Sequence, residues 1–280
     1  MEAAPTEEGV LDMIKGEYHR TATRQVINQQ LFSETYLQEL RTGKLPIDSI
    51  NACRQTMREW RTEYPDLENY KSLQLYVGQC LSTLELPYTL EQMYLTLYSD
   101  PTHVQPLGIC MMVNDTDIGR MTKGSHHQAN LVKQLRSASL RWGMLTNGKR
   151  WRLCYAAAAA PYEVFLEVDL DSILEDTAHT DLWLFTLFFG QQAFTASPST
   201  CTAGGSLGLD QHIRESEKRT EAIQRYLRNS IESIVKSLCL GFVQDEAAGT
   251  YTDKKLAEIY RNCSIVCFSF FMRKRAPSCQ

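Results

Sequence analysis

The sequence predicts a mixed α/β (α+β) fold: a sheet flanked by helices, with helical regions before and after it. Three observations lead there. Apolar residues fall at helical spacing in three stretches before residue 85. Five strand-like runs follow between residues 92 and 170, interrupted by one amphipathic segment. A long helical pattern then occupies 211–240. Periodicity of about 3.6 against 2 separates the two element types.

In order, Ala22 to Leu40 reads as a first helix, with Val26, Ile27, Leu31, Tyr36, Leu37 and Leu40 on one face and Gly43 and Pro46 ending it. A second runs from about Ile47 to Trp60, before Tyr64-Pro65, and a third from Leu67 to Leu84, stopped by Pro87. Gln92 to Ser99 reads as a strand. Leu107 to Val113 is apolar throughout, as a strand covered on both faces must be. Asn114 to Gly124 is loop-like, and Ser125 to Ser139 is a helix that buries Leu131, Val132 and Leu135. Trp142–Leu145 and Arg150–Tyr155 form a hairpin through Asn147-Gly148, a dipeptide that accepts positive φ. Tyr162 to Leu170 adds a strand; the alanine run 156–160 before it is a connection with no functional account. Asp181 to Phe194 is a buried helix and Ser197 to Gly208 a linker. Gln211 to Leu240 is a long helix capped by Gly241, and Leu256 to Met272 a last apolar helix. The expected divisions are an N-terminal helical arm (1–64), an α/β domain (65–178) and a helical connector (179–280).

Composition bounds the function. The chain has 280 residues, 43% hydrophobic and 22% charged, enough for a core and against wholesale disorder. No apolar run approaches ~18 residues, and Met1 to Gly9 carries no apolar signal core. A cytoplasmic protein is expected. The nine cysteines show no CxxC pair, and most lie in apolar runs, which reads as free buried thiols rather than a zinc site.

Charge is unevenly spread. The net charge of −4 excludes a uniformly basic coat, yet no Asp or Glu occurs from Ile118 to Tyr162. That window carries +8, leaving −12 for the rest. Lys133, Arg136, Arg141, Lys149, Arg150 and Arg152, with Gln128 and Asn147, are residue types that contact phosphates and base edges. They are the expected DNA-binding residues. The alternative is a solvated surface paired with carboxylates from Glu163 to Asp181. Trp142, Trp151 and Tyr155 are either core or base-stacking residues. His103, His126 and His127 read as surface histidines.

The segment Leu140–Leu153 (LRWGMLTNGKRWRL) resembles the "WGILTNG…WRL" hairpin in the N-terminal region of type IIG and type IIL restriction–modification polypeptides. These fuse an endonuclease-like domain to an adenine-specific DNA methyltransferase. Phe165–Leu170 is similar to the family's "EVDL" strand, Phe185–Phe194 to its aromatic helix, and Leu256–Phe271 to the helix leading to the methyltransferase. The resemblance spans roughly residues 65–272 and is most specific in the hairpin.

It implies a PD-(D/E)xK-like mixed sheet flanked by helices, acting on double-stranded DNA with Mg²⁺. That chemistry needs an Asp on one strand and acid-x-Lys on the next, so that metal and lysine activate water. Here those positions fall near Gln92-Met93 and on Met112-Val113-Asn114, which bind no magnesium. A displaced site would use Asp100, Asp115 and Asp117 as metal ligands and catalytic acids, with Lys123; otherwise Asn114 to Asp117 is a turn. No Asn-Pro-Pro-aromatic motif or methyl-donor loop is present, so the chain by itself is no methyltransferase. The ending Met272–Gln280 reads as the truncated or frameshifted end of a longer polypeptide. The expected function is a DNA-binding, endonuclease-like domain of a restriction–modification or phage-defence protein with a degenerate catalytic motif. The alternatives are a non-catalytic scaffold docking a separate methyltransferase or defence subunit, and an inactive fragment.

Overall fold

In a computed structural model describing residues 25–91, 94–115, 118, 121–122, 125–195 and 207–245, the chain starts on a strand. This strand, β1 (Val26–Gln29), lies where apolar spacing predicts a helix. Pairing overrides the local pattern: Val26 sits opposite Val168, and both face the core. The helix α1 (Glu34–Thr42) begins only after Ser33, whose Oγ accepts the Tyr36 N–H. It is followed by α2 (Ile47–Glu63) and α3 (Tyr70–Thr83), the latter capped by Asn69.

The sheet then builds in two meanders. The first is β2 (Tyr88–Glu91), β3 (Tyr94–Tyr98) and β4 (Pro106–Met112), antiparallel throughout. A two-residue pair, β5 (Met121–Thr122) and β6 (Ser125–His126), leads into α4 (His127–Ser137). This helix is the crossover to β7 (Trp142–Thr146), which lies parallel to β4. β8 (Arg150–Tyr155) and β9 (Phe165–Asp169) complete the second meander. The seven-stranded order is β1-β9-β8-β7-β4-β3-β2. The architecture is thus a mixed sheet flanked by helices; β1 and β2 are additions to the expected strands.

Strand alternation divides the core into two layers. Cys110 and Met112 face a large layer with Tyr76, Met144, Trp151, Phe185 and Phe188. Ile109, Met111 and Val113 face a smaller one closed by Leu131, Val132 and Leu135 of α4. The continuous apolar run of β4 follows from this double cover. Gly143 lets α4 approach: a Cβ there would lie 2.8 Å from a Leu135 methyl and 3.0 Å from the Ile109 carbonyl oxygen.

The β7–β8 turn differs from a tight Asn-Gly turn with two positive φ angles. Within it, Gly148 alone has positive φ, +85°. Asn147 acts instead through its side chain, whose oxygen accepts the Lys149 and Arg150 N–H groups.

The chain continues with α5 (Leu170–Glu175), α6 (Thr180–Phe189), α7 (Gln191–Thr195) and α8 (Leu209–Asp245). The expected helix to Phe194 is broken at Gly190, and α8 runs through Gly241 instead of being capped there. The last expected helix lies outside the described residues. One compact unit extends to Glu217 and a second begins at Lys218. Tyr36, Leu37, Ile50 and Met57 of the expected arm share a core with Leu95 and Leu97 of the sheet. The boundaries at 64 and 178 are therefore not where the structure divides. Among the described residues, no helix is long and apolar enough to cross a membrane.

Candidate nucleic-acid interface

The basic window separates into buried braces and surface charges. On β8 and β9, Arg152 sits opposite Glu167. Its Nε donates to Glu167 Oε2 at 2.8 Å and an Nη donates to Gln128 Oε1 at 2.9 Å. The Gln128 amide donates onward to the Pro161 carbonyl at 3.0 Å. The Arg152 guanidinium lies 3.9 Å from the Phe165 ring centroid. Arg152 is 6% exposed, Glu167 3% and Gln128 0%. Arg150 also leans on Glu167, at 3.6 Å.

Three of the expected DNA contacts are therefore corrected. Arg152 and Gln128 are buried and satisfied within the fold. Asn147 is buried and holds the β7–β8 turn, donating as well to the Asp115 carbonyl at 2.9 Å. None of the three can reach a phosphate without unpairing a buried polar group.

Arg141 is exposed but committed. It pairs with Asp210 at 2.5 Å and donates to the Tyr155 hydroxyl. The Trp142 indole N–H donates to the same Asp210 at 2.8 Å, and the Trp142 and Tyr155 rings stack 4.4 Å apart. Arg136 donates to the Ala156 carbonyl through Nε and an Nη, at 3.2 and 3.1 Å. That contact restrains it and leaves its charge in place. Lys133 and Lys149 are exposed, and among the described residues neither has a carboxylate within ion-pair distance.

The charges do not form one continuous face. Arg141 precedes the Trp142–Tyr155 pair at one end of the hairpin, and Lys149 lies at the turn beyond the Thr146–Trp151 pair. Six residue steps along the strand separate Arg141 from Asn147, roughly 20 Å at about 3.3 Å each. What remains together is the outer side of α4, where Lys133 and Arg136 are exposed beside Asn130 and Gln134.

The displaced catalytic site does not assemble from its described members. Tyr98 pairs with Pro106 and Tyr94 with Met111. Asp100 follows the first pair and Asp115 lies past the second, at opposite ends of the β3–β4 hairpin. The length of β3, roughly 15 Å at about 3.3 Å per residue, separates them. Asp100 caps its own loop, accepting Thr102 N–H at 2.8 Å and the Ser99 hydroxyl at 2.8 Å. Hydrogen bonds from Thr102 and then Ser99 hold its carboxyl below the usual range. Asp115 meets His127 Nε2 at 2.5 Å. Asp100 and Asp115 are thus corrected as joint metal ligands, while Asp117 and Lys123 lie outside the described residues. No group of three or more His, Cys, Asp or Glu side chains suited to a metal occurs among the described residues. The start of β3 and the end of β4 do share one sheet end, but Met112 and Val113 are buried apolar residues there.

Two features escaped sequence reasoning. The Asp115–His127 contact joins residues twelve apart across a loop. A cleft of 360 Å³ also opens on the face of β2–β3 beside α4, lined among others by Glu91, Tyr94, Tyr98, His103, Val104 and Gln134. In sequence Glu91, Tyr94, Tyr98 and Val104 read as ordinary strand and loop positions, His103 as a surface histidine and Gln134 as a position on the amphipathic helix.

The four thiols described, Cys53, Cys80, Cys110 and Cys154, are free. Burial pushes Cys53 up to about 11 and Cys80 and Cys154 up to about 12, which suppresses thiolate chemistry.

No protein-family profile, curated protein or solved structure matches the chain.

Proposed function

We propose that this chain is a DNA-binding module built on an endonuclease-like, PD-(D/E)xK-type sheet that does not cleave. The observation that carries this reading is the outer side of α4. Lys133 and Arg136 stand exposed there, in a segment without a single carboxylate from Ile118 to Tyr162. The mixed sheet flanked by helices, with its parallel β4-α4-β7 crossover, supports the sheet assignment. Non-cleavage is supported by the apolar Met112 and Val113, and by the separation of Asp100 from Asp115. Each Lys or Arg that neutralises a phosphate releases counterions, so binding is to be sequence-tolerant and salt-sensitive. Mg²⁺ has no catalytic part in this reading. Mobility-shift assays on duplex DNA in Mg²⁺ or EDTA test both halves. A shifted, intact duplex in both buffers is expected; cut DNA in Mg²⁺ alone, or no shift at low salt, refutes the reading.

A second reading, docking of a separate methyltransferase or defence subunit, is favoured by α8. That helix exposes Tyr226 (37%) and Ile234 (50%). Aromatic side chains are enriched at such interfaces.

A further inference from the structure

The β2–β3 cleft brings aromatic rings and polar side chains together on one face of the sheet. Alternation on β3 sends Leu95 and Leu97 into the large core and turns Tyr94, Thr96 and Tyr98 to the α4 side. There they remain partly exposed. α4 packs on β4, β7 and β8, so these rings are left at its flank. His103 is held at φ +56° and its ring lies against Tyr98, centroids 4.7 Å apart. The Asp100 cap fixes that loop. The volume of 360 Å³ lies within the range of about 300–1,000 Å³ for ligand pockets. Its polar lining includes the Glu91 carboxylate on β2 and the Gln134 amide on α4. Lys133 stands next to Gln134 on the same outer side of the helix.

We propose that this cleft receives a single unpaired nucleobase, one that carries an exocyclic amino group. Tyrosine and histidine rings offer stacking faces to any base. The Glu91 carboxylate accepts only, so it favours the freely projecting amino groups of cytosine or adenine; thymine offers it a single donor, N3–H, set between two carbonyl oxygens that repel a carboxylate. Lys133 then meets the phosphate flanking the inserted base. The charge pattern argues for a nucleotide over a peptide, because the helix beside the cleft is free of carboxylates. The inference rests on the reading of the chain as a nucleic-acid binder and adds a site and a base preference to it.

Fluorescence anisotropy with short oligo-dC, oligo-dA and oligo-dT, and with a mixed-sequence duplex, tests it on the full chain. Oligo-dC and oligo-dA are expected to bind about tenfold more tightly than oligo-dT, the discrimination of one good base contact. Glu91→Ala is expected to level the three, read as ratios within the variant so that the lost charge cancels. Val104 is 79% exposed at the rim, so Val104→Glu leaves the fold intact. It is expected to weaken all three single strands about tenfold, the loss of one stacked base, and to spare the duplex. Duplex binding with equal homopolymer affinities and no effect of Val104→Glu overturns the cleft and leaves the parent reading standing. Selective single-strand binding without duplex binding upholds the cleft and overturns the parent reading. Absence of all binding overturns both.

Discussion

Arg152 and Glu167 face each other across β8 and β9 and form an ion pair with both side chains under one-tenth exposed. The pair lies where the acid-free window meets the first carboxylates beyond it. Gln128 and Phe165 complete the surroundings of the guanidinium. A residue that reads as a phosphate contact is a brace between strands and crossover helix.

Removing one partner leaves the other charged and buried. Glu167→Gln and Arg152→Ala should each cost about 3–5 kcal/mol of unfolding free energy, measured by urea titration. The double replacement Arg152→Met with Glu167→Leu should cost much less than the sum. A loss under about 1 kcal/mol for the single variants, the range of exposed pairs, would contradict burial of the pair.

His212 sets a pH window. It is 1% exposed, its Nδ1 shares a hydrogen bond with the Tyr36 hydroxyl at 2.6 Å, and Phe32 and Phe188 pack against its ring. Burial lowers its pKa from 6.5 to about 4, the Leu207 backbone offsetting part of that. The unfolded chain therefore takes up the proton first as pH falls. Stability should decline between about pH 6.5 and about pH 4, by up to about 3 kcal/mol. His212→Gln should flatten this part of the profile, read from denaturant midpoints across pH.

Gly148 has positive φ and no room for a side chain. A Cβ would lie 2.8 Å from a Leu67 methyl and 2.9 Å from a Leu73 methyl. Gly148→Ala should destabilise by about 1–3 kcal/mol, backbone strain and overpacking adding. Thermal unfolding checks this, and an unchanged Tm would contradict the turn geometry.

Arg141 is predicted to matter for α8 rather than for DNA. Arg141→Ala should increase amide exchange in the first turns of α8, where Asp210 sits, while duplex affinity falls by no more than one phosphate contact's share. A loss of DNA binding with unchanged exchange would reverse that assignment.

The sheet was legible because its strands announce themselves locally. The unbroken apolar run of β4, the Asn147-Gly148 turn and the amphipathic face of α4 each carry a pattern that survives without tertiary context. β1 was not legible: Val26 and Ile27 fit a helical stripe, and only pairing with β9 makes them a strand. The site was less legible still. Sequence fixes how many charges lie between Ile118 and Tyr162, but not which carboxylates approach them. Glu167 arrives through strand register and Asp210 from the start of α8, and both neutralise residues of the window. The β2–β3 cleft depends on how far α4 extends over the sheet, which no local pattern encodes.

Titration of a mixed-sequence duplex at increasing KCl tests the central claim most directly. With Lys133 and Arg136 each meeting a phosphate, log Kobs should fall against log salt with a slope of about −2. Lys133→Ala with Arg136→Ala should remove most of that slope, with the DNA intact in Mg²⁺ throughout. A slope unaffected by that double variant would contradict the assignment of the interface to the outer side of α4.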